Sequence, residues 1–220
     1  MSSTNDAPRS NRLEARKART RAALIKAAQT LMADGRQNVP ILEITQLADI
    51  GLGSFYNHFA TREELYEAAV LEALDTHGAV LDALTSDIAD PAAVFATSFR
   101  LTGRLHRIEP QLSGVVLAIG SDILRQNSGL LPRVRRDLER ARDAGRFAIA
   151  DLDVTVAVIA GAALTLGQLI HDDPERDDAE TTDRMLLDLL RMLGVKARDA
   201  DRLVALELPE FIVPALDASA

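Results

Sequence analysis

Ile50-Gly51-Leu52-Gly53-Ser54-Phe55-Tyr56-Asn57-His58-Phe59, followed by Ala60-Thr61-Arg62-Glu63-Glu64-Leu65, is the stretch on which the fold turns. Phe55 and Phe59 are four apart and therefore share one face of a helix. Ser54, Tyr56, Asn57 and His58 fall largely on the other side. A short helix that is apolar behind and hydrogen-bonding in front suits the major groove of DNA. Taken alone, the segment also reads as a polar surface helix pinned by two aromatic residues. Its surroundings decide between the two.

Upstream, Leu24, Ile25, Ala28, Leu31 and Met32 repeat at helical spacing, and Asp34-Gly35 is a C-terminal stop. Pro40 opens a second short helix whose buried side is Ile41, Ile44, Leu47 and Ala48, and Asp49-Ile50-Gly51 makes a tight turn. Helix, short helix, tight turn and polar short helix are the parts of a helix-turn-helix. Downstream, Thr61-Arg62-Glu63-Glu64 is a capping box that starts a long helix, reaching to about Thr85. Asp90-Pro91 starts another, ending near Glu109-Pro110. Further helices are predicted at 111–126, 131–144, 151–171, 179–193 and 197–207. No sustained strand alternation or internal repeat interrupts them, so the chain is all-α.

The bulk numbers agree. At 220 residues, with 47% hydrophobic but only 4% aromatic residues, the chain builds its core from aliphatic side chains. The net charge of −8 divides into +2 over residues 1–66 and −10 over the remainder. Arg9–Lys26 holds seven basic residues and one acid, Glu14. An acidic body with a basic N-terminal end is the asymmetry expected when only that end meets phosphate. The absence of cysteine excludes disulfides and thiolate chemistry. No run approaches the roughly 18 consecutive apolar residues of a membrane span, and the polar N-terminus does not read as a signal peptide. The expectation is a cytoplasmic protein.

Enzyme signatures do not emerge. The chain has no G-x-S-x-G elbow, Walker loop or H-E-x-x-H, and its histidines at 58, 77, 106 and 171 are scattered. No cofactor, metal or catalytic residue is expected. The cluster Asp172-Asp173-Pro174-Glu175 reads as a polar loop.

Thr20-Arg21, Leu24 to Ala28, Leu31-Met32, Ile44, Ala48, Gly53 to Phe59 and Arg62-Glu63-Glu64-Leu65 together resemble the N-terminal domain of the TetR family of bacterial transcriptional regulators. The likeness covers residues 16–70. Four positions depart from the family pattern: Pro40 for a capping threonine, Thr45 for alanine, Asp49 for the turn glycine and Gly51 for serine. Asp tolerates a left-handed turn and Gly is an acceptable N-cap, so the fold survives them.

The resemblance implies an N-terminal three-helix helix-turn-helix domain and a C-terminal helical ligand-binding and dimerisation domain. The expected division is a disordered basic arm at 1–13, the DNA-binding domain at 14–62 and the effector and dimerisation domain at 63–220. It implies a sequence-specific regulator, most simply a repressor released from a palindromic double-stranded operator by a small-molecule effector. The recognition helix would be Leu52–His58. Leu52, Ser54 and Asn57 would meet base edges or a thymine methyl, while Tyr56, His58, Arg62, Arg16, Lys17 and Arg19 would meet phosphates, with Gly53 also in the DNA-binding set and Thr45 and Gln46 adding polar contacts. Candidate effector residues are Phe95, Phe99, Leu117 and Leu166 as walls, and Arg100, Arg104, His106, Gln111, Ser121, Thr165 and Gln168 as polar groups.

The helix at 151–171 is apolar nearly all round, and Met185, Leu186, Leu189, Leu190 and Leu193 form a stripe on the helix at 179–193. Two such helices suit a homodimer formed by a four-helix contact, or alternatively fill a monomeric core.

Overall fold

The computed structural model describes residues 7–36, 38–121 and 129–210, with side chains from Leu13 onward. Among the described residues there are ten helices and no strand: α1 (Ala7–Ala33), α2 (Ile41–Leu47), α3 (Leu52–Phe55), α4 (Arg62–Leu84), α5 (Pro91–Ile108), α6 (Pro110–Ile119), α7 (Leu131–Asp143), α8 (Leu152–Asp172), α9 (Asp178–Met192) and α10 (Ala197–Val204). The chain is all-α, as expected. It divides into two compact units, with the boundary after Val70, inside α4.

In the N-terminal unit, α1 begins at Ala7, so residues 7–13 are helical where a disordered arm was expected; residues 1–6 lie outside the described residues. The run Arg12 to Ala28 lacks glycine and proline and is rich in Ala, Leu, Arg and Lys, which are strong helix formers, so the helix propagates back past the last buried residue. α1 ends in a Schellman motif: Gly35 (φ 71°) donates to the Met32 carbonyl and Arg36 to that of Leu31. α2 ends the same way. Asp49 takes φ 54° and donates to Gln46, and Ile50 donates to Thr45 at 2.9 Å. A carboxylate residue thus holds the left-handed position usually given to glycine. Leu24, Ile25, Leu31, Met32, Ile44, Phe55, Phe59 and Leu65 are all buried, with the two phenylalanine rings 6.0 Å apart. The start of α4 is fixed by Thr61, whose hydroxyl accepts from the Glu64 N–H at 3.1 Å. Glu64 in turn accepts from the Ala60 N–H at 2.7 Å.

In the C-terminal unit, Asp90, Asp151 and Asp177 cap α5, α8 and α9 with side-chain hydrogen bonds. The core joins Phe95, Leu138, Phe147, Ile159, Leu166, Ile170, Leu186, Leu190 and Leu193. Phe147 meets Phe95 edge-on at 5.4 Å. Arg146 ties the unit's ends, reaching both carboxylate oxygens of Asp90 at 2.9 Å and Asp199 at 3.0 Å. α6 stops at Ile119, short of the predicted 126, because Gly120 turns to φ 61°; residues 122–128 lie outside the described residues.

By length and composition α8 would suffice to cross a membrane, with a mean hydropathy of 1.7. It packs instead against α5, α6, α7 and α9. One face stays open: Val154 is 59% and Val158 42% exposed, with Leu169 further along.

Candidate functional site

The first site is the outward face of the helix-turn-helix. Regular α-helix covers only Leu52–Phe55, and the chain then tightens into a turn in which His58 and Phe59 both donate to the Phe55 carbonyl. The expected helix to His58 is therefore a single turn plus a cap. Phe55 and Phe59 face the core, while Leu52, Gly53, Tyr56 and Asn57 are exposed and Ser54 and His58 partly so. Nothing lies within 4 Å of where a Cβ on Gly53 would stand. Gln46, Arg16, Lys17 and Arg19 are exposed. Arg62 is partly buried and donates to Glu63 and to the Val39 carbonyl. Thr45 is the exception among the expected contacts. It is 1% exposed, and its hydroxyl donates to the Leu42 carbonyl at 2.9 Å, so it packs in the core and is not on the outer face.

The second site is a cavity of about 150 Å³ in the C-terminal unit. Its walls are mostly apolar: Leu71, Leu74 and Leu81 of α4, Phe95, Phe99 and Leu105 of α5, Leu112 and Val116 of α6, Val134 of α7, and Ile159, Ala160, Ala163 and Leu164 of α8. Polar groups enter from α4 and α7 (Asp82, Arg133, Asp137), from α5 (Ser98, Thr102, His106) and from α6 (Ser113).

The α4 and α7 groups form one network. Arg133 donates to Asp82 at 3.0 Å and to Asp75 at 2.5 Å; Arg136 donates to Asp82 at 2.6 Å and to Asp137 at 2.9 Å. Gly78 makes this possible, since a Cβ there would stand 2.6 Å from Cδ of Arg133. Burial opposes ionisation of Asp82, yet the hydrogen bonds from Arg136 and Arg133 outweigh it and hold this carboxyl below its ordinary range. For Asp137, 6% exposed, burial wins over Arg136 and pushes the carboxyl up. Two histidines stand with the other polar groups. His77 Nε2 lies 3.2 Å from the Thr102 hydroxyl, and His106 Nδ1 lies 2.8 Å from that of Ser113. Burial lowers both imidazoles to about 4, so both are neutral at pH 7.

Of the expected effector residues, Phe95, Phe99 and His106 line this cavity. The others are placed elsewhere. Arg100 pairs with Asp183 at 2.9 Å and donates to the Leu206 carbonyl, and Arg104 donates to the Arg100 carbonyl. Gln111, Ser121, Thr165 and Gln168 are exposed, Thr165 bonding the Gly161 carbonyl and Gln168 bonding Asp172. Leu166 fills the main core and Leu117 is half-buried off the cavity. The sequence reading missed Asp82, Arg133, Asp137, Thr102 and Ser113. One signal was present: Asp137 is three residues beyond Val134 and four before Ala141, a carboxylate on the apolar face of α7.

A helix-turn-helix unit joined to a helical unit that contains a cavity defines a ligand-binding transcriptional regulator. The chain belongs to the TetR family: the sequence pattern described as the tetracyclin repressor-like C-terminal domain matches residues 90–205, and a structure at 36% identity covers nearly the whole chain. That structure is RolR in complex with resorcinol, with a TM-score of 0.78 over 90% of this chain and 98% of RolR. RolR without ligand matches at 35% identity and TM-score 0.74, over 86% of this chain and 98% of RolR. FadR from Bacillus subtilis, in complex with stearoyl-CoA, shares the fold at 16% identity and TM-score 0.59, over 80% of this chain and 98% of FadR. Comparison with curated protein sequences gives no match. TetR-family regulators bind operator DNA and small effectors and dimerise.

Proposed function

We propose that this chain is a homodimeric repressor that binds a palindromic operator and leaves it when a small hydroxylated aromatic molecule fills the cavity. The observation that carries the reading is the cavity itself. Its volume of about 150 Å³ equals that of apolar cavities that take up benzene. Carboxylates and hydroxyls interrupt its apolar wall in the few places a ring hydroxyl needs an acceptor. The likeness to RolR, whose structure holds resorcinol, supports the same class of ligand.

On the DNA side, Leu52, Gly53, Ser54 and Asn57 are the proposed base contacts, with Tyr56, His58, Arg62, Arg16, Lys17 and Arg19 on phosphates and Gln46 beside them. Dimerisation is proposed through α8 and α9, where Val154, Val158, Leu169 and Met192 form exposed apolar surface. Coupling would run along α4, which is unbroken from Arg62 to Leu84 and contributes Leu71, Leu74, Leu81 and Asp82 to the cavity. An effector acts only through a difference in affinity between the DNA-competent and DNA-incompetent states.

The test begins with selection of bound sequences from a random duplex pool at near-physiological salt, expected to enrich a palindrome. Operator affinity is then measured by fluorescence anisotropy as resorcinol is added. A loss of at least about tenfold, a coupling of roughly 1.4 kcal/mol, is expected. Unchanged operator affinity with resorcinol bound, as seen by calorimetry, would overturn the effector reading.

A further inference from the structure

The cavity has a second polar device, built from helices other than those carrying the carboxylates and arginines. His106 of α5 and Ser113 of α6 both line it, Nδ1 to Oγ at 2.8 Å. The imidazole is seated on α8. A Cβ on Gly167 would stand 2.8 Å from its Nδ1 and 2.9 Å from its Nε2, so only glycine leaves room for the ring there. The backbone of Ala163, four residues earlier on the same helix, favours a ring N–H.

A neutral imidazole has one N–H and one bare nitrogen. The carbonyl of Ala163 can only accept, which favours the tautomer with its N–H on Nε2. Nδ1 is then the bare nitrogen, and the proton between it and Ser113 belongs to the serine. A hydroxyl has one proton and two lone pairs. With its proton committed to His106, Ser113 offers only lone pairs to whatever occupies the cavity. It discriminates by hydrogen-bonding sense: a donor is welcomed, and a ring C–H in its place leaves a buried acceptor unpaired.

We propose that Ser113, oriented by His106, accepts a hydrogen bond from a second ring hydroxyl of the effector, so that the cavity selects dihydroxybenzenes over phenol. The first hydroxyl then belongs to the carboxylates on α4 and α7. This inference rests on the aromatic-effector reading above, and its failure is separable from the failure of that reading.

The experiment is calorimetric titration of the full chain and of Ser113→Ala with four probes: phenol, catechol, resorcinol and hydroquinone. In the parent protein at least one diol is expected to bind tenfold or more tightly than phenol. In Ser113→Ala the advantage of that diol over phenol should fall to about twofold, with phenol affinity unchanged or raised, since no buried acceptor is then left unpaired. An undiminished diol preference in the variant overturns the proposal, as does equal weakening of diol and phenol, which marks a merely structural hydroxyl. If none of the four binds the parent protein, the aromatic-effector reading itself fails and takes this inference with it. A second measurement needs no variant: 15N chemical shifts of the His106 ring should show Nε2 protonated and Nδ1 bare. A proton on Nδ1 would overturn the assignment of Ser113 as acceptor.

Discussion

Gly53 carries a sharper prediction than any side chain on the reading face, because its lack of one is what matters. It is exposed, and an added Cβ would meet nothing within 4 Å of protein. Alanine is the better helix former by about 1 kcal/mol, so Gly53→Ala should leave the melting temperature unchanged or raise it slightly. The new methyl would point outward from the proposed groove-facing turn, where close approach of the backbone to base edges is at a premium. Operator affinity is expected to fall by about tenfold or more, in keeping with roughly 1–3 kcal/mol for disturbing one base position. Anisotropy with the selected operator, beside a thermal melt, reads both. Unchanged affinity would move the base-reading residues away from Gly53. Asp49 in a left-handed turn and the Thr61–Glu64 capping box were legible, since both depend on neighbours in sequence. Thr45 was misread, because helical spacing does not reveal that its hydroxyl turns inward to the Leu42 carbonyl.

At the scale of elements, the helices were legible because apolar spacing, Asp caps and Gly stops are local signals. The cavity was not, because it is a product of packing. Asp75 and Asp82 of α4 acquire meaning only when α7 brings Arg133 and Arg136 beside them, 51 residues away for the Arg133–Asp82 pair. Arg100 looked like a ligand anchor, yet α9 supplies Asp183 and absorbs it. The packing of α4, α5, α6 and α8 also traps His77 and His106 as neutral imidazoles, lowered by burial to about 4 from an ordinary 6.5. The unfolded chain therefore binds more protons than the native one between pH 6.5 and 4, and stability falls as pH falls through that window. Above pH 6.5 the contribution is fully present. For His77, 6% exposed, the loss between pH 7.5 and pH 5 is on the order of 1–2 kcal/mol. Raised Asp137 opposes this in part, since its native form holds a proton more readily. Urea denaturation at pH 7.5, 6 and 5 should show the decline, and His77→Gln should remove a substantial share of the slope. A pH-independent difference between parent and variant would mean that His77 is not held neutral by the fold.

One face of α8 stays open in the protomer. Val154 and Val158 lie on successive turns, with Gly161, Thr165 and Leu169 continuing the same side at helical spacing. Only 33% of the most apolar window of this helix is buried within the chain. Leaving that surface in water forgoes roughly 25 cal/mol for each Å² that a partner would cover. A second copy presenting the same stripe across a two-fold axis is self-complementary, and small residues at Ala157 and Gly161 permit close approach. Gly161, with no atom within 4 Å of its missing Cβ, leaves space there for a facing helix. Val158→Asp places a charge on this surface, where it is 42% exposed and harmless to the protomer, but would be buried without a partner in a dimer. The expected result is a folded monomer by sedimentation velocity, with an unchanged helical circular dichroism spectrum. Palindrome binding should weaken by a hundredfold or more, because each half-site is then held without the benefit of the other. Binding of the aromatic effector should persist, since Val158 does not line the cavity. A variant that remains a dimer would place the interface elsewhere. A monomer that keeps full operator affinity would instead sever dimerisation from DNA recognition, and with it the proposal that an effector acts by changing how two recognition helices are held.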